Sequence, residues 1–206
     1  MRQDWPLRSG HELILHQPIP WQQLGWPLRF TGLDLPIAAR TDIVPLSASE
    51  ALFMLTTTKV DGSEGRTFCT RSRDGGRNFK FVSFIGDDPE GFRIMRSSQR
   101  MADGLIVTAT RCKGSDSERG WIDVYVSHDE GLSWTCRGVA AKDTGVEGNP
   151  PASALLSDGR SALSYGSRTR PFGLRIRTSD TAGETWSAEF VVTRMLERRT
   201  WAIQRS

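Results

Sequence analysis

Residues Ser127–Trp134, SHDEGLSW, have a second copy in Ser72–Phe79, SRDGGRNF. The two copies share a serine, an aspartate, a glycine and a large aromatic residue at the first, third, fifth and eighth positions. A third copy, TSDTAGETW at residues 178–186, fits when one residue is inserted before its glycine. The aspartates recur at intervals of about 50 residues, a period that indicates a repeat architecture with one supersecondary unit per copy.

The sequence on either side of each copy favours β-strands. WIDVYVS precedes the second copy, and its Trp121, Asp123 and Tyr125 would share one face of a strand. Comparable runs rich in β-branched and aromatic residues flank the other copies, so each copy is predicted to be the turn of a β-hairpin. Two more strand candidates precede each hairpin, and Asp-Gly pairs at 103–104 and 158–159 indicate tight turns between them.

These patterns predict an all-β protein, a β-propeller of which this chain covers about three four-stranded blades. The blades are predicted at about residues 41–87, 88–141 and 145–195, after an irregular lead-in at 1–40. Residues 1–206 are treated as a single partial propeller domain.

The repeated motif has a predicted role as a structural turn. The Ser or Thr hydroxyl and the Asp carboxylate can accept hydrogen bonds from loop N–H groups, and glycine adopts the positive φ that such a loop needs. The aromatic residue would enter the space between adjacent sheets. A structural turn is favoured over a calcium site or a catalytic role. The residues predicted to form these turns are Ser72, Asp74, Gly76, Phe79, Ser127, Asp129, Gly131, Trp134, Asp180, Gly183 and Trp186.

Composition narrows the function classes. The net charge is +3 and the 27 Lys and Arg residues are scattered without a basic run, so nucleic-acid binding is not expected. The 3 cysteines lack a CxxC pair and the 3 histidines lack a pair such as HExxH, so we expect no metal site and no cofactor. The first residues show no signal peptide and no membrane span is recognised, so a cytoplasmic protein is the expectation.

The S/T-x-D-x-G-x-x-W/F pattern resembles the Asp-box of the sialidases and other BNR-repeat proteins. Further likenesses, among them GNPP at 148–151 and PFG at 171–173, extend the resemblance over most of residues 41–190 and are similar to stretches of bacterial sialidase-like proteins. The resemblance implies a six-bladed propeller and an exo-α-sialidase, a glycoside hydrolase that removes terminal sialic acid from glycoconjugates. Sialic acid or a related glycan is then the expected ligand.

The resemblance also implies substrate-binding arginines. FRIM at 92–95 is similar to the F/Y-R-I-P strand of the sialidases, whose arginine holds the sialic acid carboxylate through its guanidinium fork. Arg93, Arg111 and Arg175 are the positions in this chain that match such arginines, although Met95 replaces the proline. Arg93 could equally be a solvent-facing strand residue.

Two carboxylates are the candidates for catalysis by the same resemblance. In the family a loop aspartate acts as acid/base. Asp116 matches it, with Glu118 and Asp123 as alternatives. In the family a glutamate pairs with the nucleophilic tyrosine. Asn149 stands at the position that matches this glutamate, so Glu147, two residues earlier, is the candidate in this chain. Asp116 could instead be a solvated loop residue.

The family's tyrosine and third arginine come from late blades, and no further copy of the motif follows EFVV here. We therefore expect a fragment or truncated gene product. Alternatively, two chains could pair as a homodimer that closes the ring, or the first forty residues could cover an open face. The alternative function is a non-catalytic propeller module that binds glycans or protein partners.

Overall fold

A computed structural model describes residues 13–14 and 28–194 of the chain. The described residues form β-strands and no helix, so they contain no helix that is long and apolar enough to cross a bilayer. Most of the predicted lead-in lies outside the described residues. The strands are β1 (Leu13–Ile14), β2 (Leu28–Arg29), β3 (Ala38–Pro45), β4 (Ala51–Thr58), β5 (Glu64–Ser72), β6 (Lys80–Phe84), β7 (Phe92–Arg100), β8 (Ile106–Lys113), β9 (Arg119–Ser127), β10 (Thr135–Val146), β11 (Pro151–Leu155), β12 (Ser161–Ser167), β13 (Gly173–Ser179) and β14 (Phe190–Arg194).

Twelve of these strands form three four-stranded antiparallel sheets. The first sheet is β3–β6, the second β7–β10 and the third β11–β14, and in each the strands pair in chain order. The first strands of neighbouring sheets contact each other, β3 with β7 and β7 with β11. Sheets that meet at their first strands are arranged radially about those strands, which confirms the prediction of an all-β partial propeller.

Apolar side chains fill the spaces between the sheets. Leu52 and Met54 of the first sheet pack with Ile106 and Tyr125 of the second. A further cluster joins the second sheet to the third and contains Val124, Leu163 and Tyr165. Because each sheet buries apolar residues on a face that meets its neighbour, sheet-on-sheet packing supplies the core of the fold.

The end of the lead-in covers the remaining face of the first sheet. Phe30 and Ile37 are buried there against Phe53, Phe68 and Phe79. The far face of the third sheet is more open, with Leu174 41% and Phe190 67% exposed. The two outer faces of the three-sheet stack therefore differ, since one is covered by this chain's own residues and the other presents apolar side chains to the surroundings.

The two clean copies of the repeated motif form turns of the same construction. The Ser127 hydroxyl accepts a hydrogen bond from the Gly131 N–H (2.8 Å) and donates to Asp129 Oδ1 (2.8 Å). Asp129 also accepts from the Ser133 N–H (2.9 Å). The first copy repeats these contacts with Ser72, Asp74, Gly76 and Asn78. Each hydroxyl and carboxylate thus satisfies loop N–H groups that have no ladder partner.

In the third copy the structure differs from the predicted alignment. Ser179 accepts from the Gly183 N–H (2.9 Å), and the Thr181 hydroxyl accepts from the Thr185 N–H (2.8 Å). Thr181 therefore takes the aspartate's place, Asp180 is exposed, and no insertion is needed before Gly183. The assignment of Asp180 to the turn was wrong, because a threonine hydroxyl can accept the same hydrogen bond as a carboxylate.

Ser127→Ala is expected to lower the free energy of unfolding by about 1–3 kcal/mol, because the Gly131 N–H, at a buried glycine, would lose its acceptor. Urea unfolding followed by tryptophan fluorescence measures this loss. Ser115→Ala, at an exposed loop position, is the matched control and should leave stability unchanged within about 0.5 kcal/mol. Equal losses in the two variants would contradict the role of the hydroxyl.

Candidate functional site

Five connections lie at the same end of the strands in the three sheets, and we call this end of the molecule the loop face. In an antiparallel meander alternate connections lie at the same end of the strands. The repeated turns lie at the opposite end. Contacts join neighbouring connections: the Lys59 ammonium donates to the Glu90 carbonyl (2.9 Å), and the Glu147 N–H donates to the Glu118 carbonyl (2.6 Å). The connections that form the loop face are residues 59–63, 85–91, 114–118, 147–150 and 168–172.

A cleft of about 190 Å³ opens at the loop face above the second sheet. Its lining includes Phe92, Arg93, Lys113 and Trp121. Arg93 lies opposite Cys112 on β8, which in turn lies opposite Trp121 on β9, so the three residues share one face of the sheet. Phe92 and Lys113 are opposite each other on the other face, so two cationic side chains and two aromatic rings line the cleft around the ends of these strands.

Arg93 is held at the rim of the cleft by two contacts. Its Nη1 donates to the Asp87 carbonyl (3.0 Å), and its Nε lies 3.8 Å from Asp123 Oδ2. Its side chain is 23% exposed, so part of the guanidinium faces the solvent. Arg93 is thus oriented by protein groups and still accessible to a ligand.

Arg111 and Glu147 lie together beside the cleft. The Nε of Arg111 donates to the Glu147 carbonyl (2.9 Å), Nη1 lies 3.1 Å from the Met95 sulfur, and the guanidinium stacks over the Phe92 ring at 4.9 Å. The side chain of Arg111 is engaged in these contacts, so the structure shows it positioning the 147–150 connection.

The Glu147 backbone has φ 61°, in the left-handed region that non-glycine residues seldom adopt. Its carboxylate forms an ion pair with the Lys113 ammonium (2.7 Å) and remains 51% exposed. A charged carboxylate is thereby presented to the solvent at the loop face, in an uncommon backbone conformation that the surrounding contacts stabilise.

Asp116 is exposed in the 114–118 connection, and within the described chain its carboxylate takes part in no hydrogen bond or ion pair. Of the two alternatives, Glu118 is exposed beside it. Asp123 is buried, and it accepts a hydrogen bond from the Trp121 Nε1 (2.8 Å). Burial raises the pKa of Asp123, while hydrogen bonds from Cys112 and Trp121 oppose the rise.

Arg175 is not brought to this cleft. It is buried in the third sheet, where its Nε pairs with Glu189 Oε1 (3.0 Å) and its Nη2 donates to the Pro171 carbonyl. Glu189 also accepts from the Tyr165 hydroxyl (2.6 Å). Burial, followed by the bond to Glu189, raises the pKa of Tyr165 to about 12. The Arg175 guanidinium is thus bound by groups of the third sheet, and Arg175 is not among the residues that line the cleft.

Sequence reasoning missed two residues of the cleft, Lys113 and Trp121. Lys113 follows Arg111 by two positions at the end of β8, so strand alternation places both on one face. Trp121 was recognised as a strand residue, and its register with Cys112 places it on the same sheet face as Arg93, two strands away. Among the described residues no group of three or more His, Cys, Asp or Glu could hold a metal ion.

No protein-family model and no curated protein matches this chain. Solved structures do match. A protein of unknown function from Dyadobacter fermentans is 22% identical with a TM-score of 0.67, over 84% of this chain and 50% of that one. The family-93 α-L-arabinofuranosidase of Fusarium graminearum, in complex with arabinobiose, is 17% identical with a TM-score of 0.55, over 90% and 54%.

A thermostable family-43 glycoside hydrolase is 13% identical with a TM-score of 0.56, over 80% of this chain and 57% of that one. The chain thus spans about half the length of the structures that it matches. At these identities the likeness shows the fold, a partial β-propeller. The two characterised structures named here are an α-L-arabinofuranosidase and a family-43 glycoside hydrolase, so the sialidase assignment stays a prediction.

Proposed function

We propose that this chain is part of a glycoside hydrolase of propeller fold whose glycan substrate binds at the loop face above the second sheet. One observation carries the proposal: the hydrogen bond of 2.6 Å between the Glu147 N–H and the Glu118 carbonyl joins the connection of Asp116 to that of Glu147. Two segments with exposed carboxylates therefore meet beside a cleft with aromatic and cationic walls.

Most glycoside hydrolases use two carboxyl groups. One protonates the leaving oxygen, and the other acts as a base or a nucleophile. Asp116 has the loop position and solvent access that an acid needs. Glu147 suits the second role, because the Lys113 ammonium stabilises its negative charge. The two tyrosines of the chain, Tyr125 and Tyr165, are both buried, so neither presents a phenol at the cleft as a nucleophile.

The cleft favours a sugar that carries a carboxylate, and sialic acid is the proposed substrate unit. Arg93 offers a partly exposed guanidinium at this opening, a group that binds a carboxylate through its fork and that a neutral pentose would not use. Trp121 and Phe92 supply apolar faces on which a pyranose ring could stack.

A non-catalytic glycan-binding module is the second candidate. The ion pair between Glu147 and Lys113 favours it, since that carboxylate already has a partner within the chain. Asn149, where the sialidases have a glutamate, donates its backbone N–H to the Thr144 hydroxyl (3.1 Å) and so holds the connection in place. Such a module would bind a sialylated glycan without cleaving it.

The test is hydrolysis by the full chain of a fluorogenic sialoside and of a fluorogenic α-L-arabinofuranoside, with sialyllactose binding followed by NMR. We expect turnover of the sialoside alone, and Arg93→Ala should weaken sialyllactose binding by about 10–100-fold, the worth of one charged hydrogen-bonded contact. Arg119→Ala, an exposed arginine paired with Asp143, is the control. Binding without turnover would favour the module, and turnover of the arabinoside would exclude the preference for an anionic sugar.

A further inference from the structure

The space between the first and second sheets changes in character along its height. Near the repeated turns it is apolar, with Leu52, Met54 and Ile106. Nearer the loop face it is polar: Thr56 and Thr67 of the first sheet lie opposite each other, one step beyond Met54 and Cys69 on the same face. The hydroxyls of Thr56 and Thr67 are buried and have no hydrogen-bond partner among the described residues.

Arg96 reaches this polar layer from the second sheet. It lies opposite Thr110 on β8, and Thr110 lies opposite Asp123 on β9, so the three share the face that meets the first sheet. Arg96 is 6% exposed, and its Nε, Nη1 and Nη2 are all buried without a hydrogen-bond partner in the described chain. The Thr110 hydroxyl is also buried and has no hydrogen-bond partner among the described residues.

The Arg96 guanidinium forms no ion pair with a carboxylate of the described residues. The guanidinium interacts electrostatically with the thiols of Cys69 and Cys112 and with the Tyr125 phenol. Burial raises the pKa of each of these three groups, so they stay protonated and neutral. Two carboxylates on the facing strands already have partners: Asp42 accepts from the Ser98 N–H, and Asp123 contacts Trp121, Cys112 and Arg93.

A buried guanidinium without a counter-charge is among the least favourable arrangements in a protein interior. Burial lowers the pKa of Arg96 to about 9, which still leaves the group charged at neutral pH. The unsatisfied donors on the two facing sheets are the N–H groups of the Arg96 guanidinium and the hydroxyls of Thr56, Thr67 and Thr110.

We propose that Arg96 binds a small monovalent anion of chloride size between the first and second sheets. The guanidinium supplies the positive charge and the three threonine hydroxyls turn their hydrogens toward the anion. The enclosure of Arg96 restricts the ligand to an ion that fits among side chains, which excludes a sugar or a nucleotide. Arg93 pairs with Cys112 on β8, and Arg96 pairs with Thr110, the next residue of β8 on the same face. The bound anion therefore also stabilises the sheet face that carries Arg93.

The test is thermal unfolding of the full chain in sodium chloride or bromide against sodium gluconate, at constant ionic strength. An anion that binds the folded state alone raises the melting temperature by about 3–6 °C per tenfold concentration once the site is saturated. Gluconate, which is too large to enter, should have no such effect. Crystals grown with bromide should show an anomalous peak at the Arg96 guanidinium.

Arg96→Met removes the charge and keeps the length of the side chain, and its melting temperature should no longer depend on chloride. Apolar replacement of a buried ion is frequently tolerated, so this variant is expected to fold. Arg119→Met, at an exposed arginine, should keep the full chloride dependence. The same dependence in all three proteins, or bromide crystals of the unaltered chain without a peak at Arg96, would overturn the proposal; a peak without any rise in melting temperature would indicate an adventitious ion only.

Discussion

Phe79→Ala is expected to lower the free energy of unfolding by about 3–5 kcal/mol, the cost of deleting a large aromatic side chain from a core. Phe79 is 1% exposed and packs against two other rings, with centroid distances of 4.5 Å to Phe30 and 5.1 Å to Phe53. These rings come from the lead-in and from β4, so the cavity would loosen the cover of the first sheet as well as the turn. Denaturant unfolding monitored by far-UV circular dichroism measures the loss.

Leu132→Ala is the matched control, because Leu132 belongs to the same kind of turn but is 66% exposed. Its replacement should change stability by no more than about 0.5 kcal/mol. If Phe79→Ala cost as little as Leu132→Ala, the aromatic position of the motif would not be an anchor for the lead-in. A larger effect for Phe79 ties the repeated turn to the packing of the chain segment before the first sheet.

The fold was largely predictable because the information lies in local patterns. The Ser-x-Asp-x-Gly spacing specifies a turn by local hydrogen bonds, as at Ser127 and Asp129, and alternation in WIDVYVS specifies a strand with one face inward. The predicted alignment of the third turn used Asp180 as the acceptor, whereas the Thr181 hydroxyl accepts the hydrogen bond from the Thr185 N–H. The signal was present, since Ser179, Gly183 and Trp186 already have the spacing of the other copies.

The candidate site was less predictable because it depends on which side chains reach each other across sheets. Sequence could place Arg111 at a strand end, but not foresee that its guanidinium donates to the Glu147 carbonyl. The sequence also does not indicate that Glu189 forms an ion pair with the Arg175 guanidinium. The buried position of Arg96 likewise follows from the stacking of two sheets, because residues 94–96 contain an irregularity in strand pairing that local patterns do not reveal.

Asp116→Asn is expected to lower kcat/KM by about 10²–10⁴-fold on a sialoside with a sugar leaving group, which rests on the proposed glycosidase function. Such a leaving group must be protonated as the bond breaks, and an amide cannot donate that proton. A sialoside with an acidic phenol as leaving group departs without a proton, so the same variant should lose little activity on it. Comparing kcat/KM on the two substrates measures the acid role directly.

Glu147→Gln should lower kcat/KM on both substrates by a similar factor, because a base or nucleophile is needed whichever group leaves. Glu118→Gln is the control, since it changes an exposed carboxylate in the same connection and keeps the carbonyl that accepts from the Glu147 N–H. Equal losses for Asp116→Asn on both substrates would remove Asp116 as the acid, and a leaving-group-dependent loss in Glu118→Gln would transfer that role to Glu118. Because the two residues share one short connection, only this dependence on the leaving group separates an acid from a neighbouring surface charge.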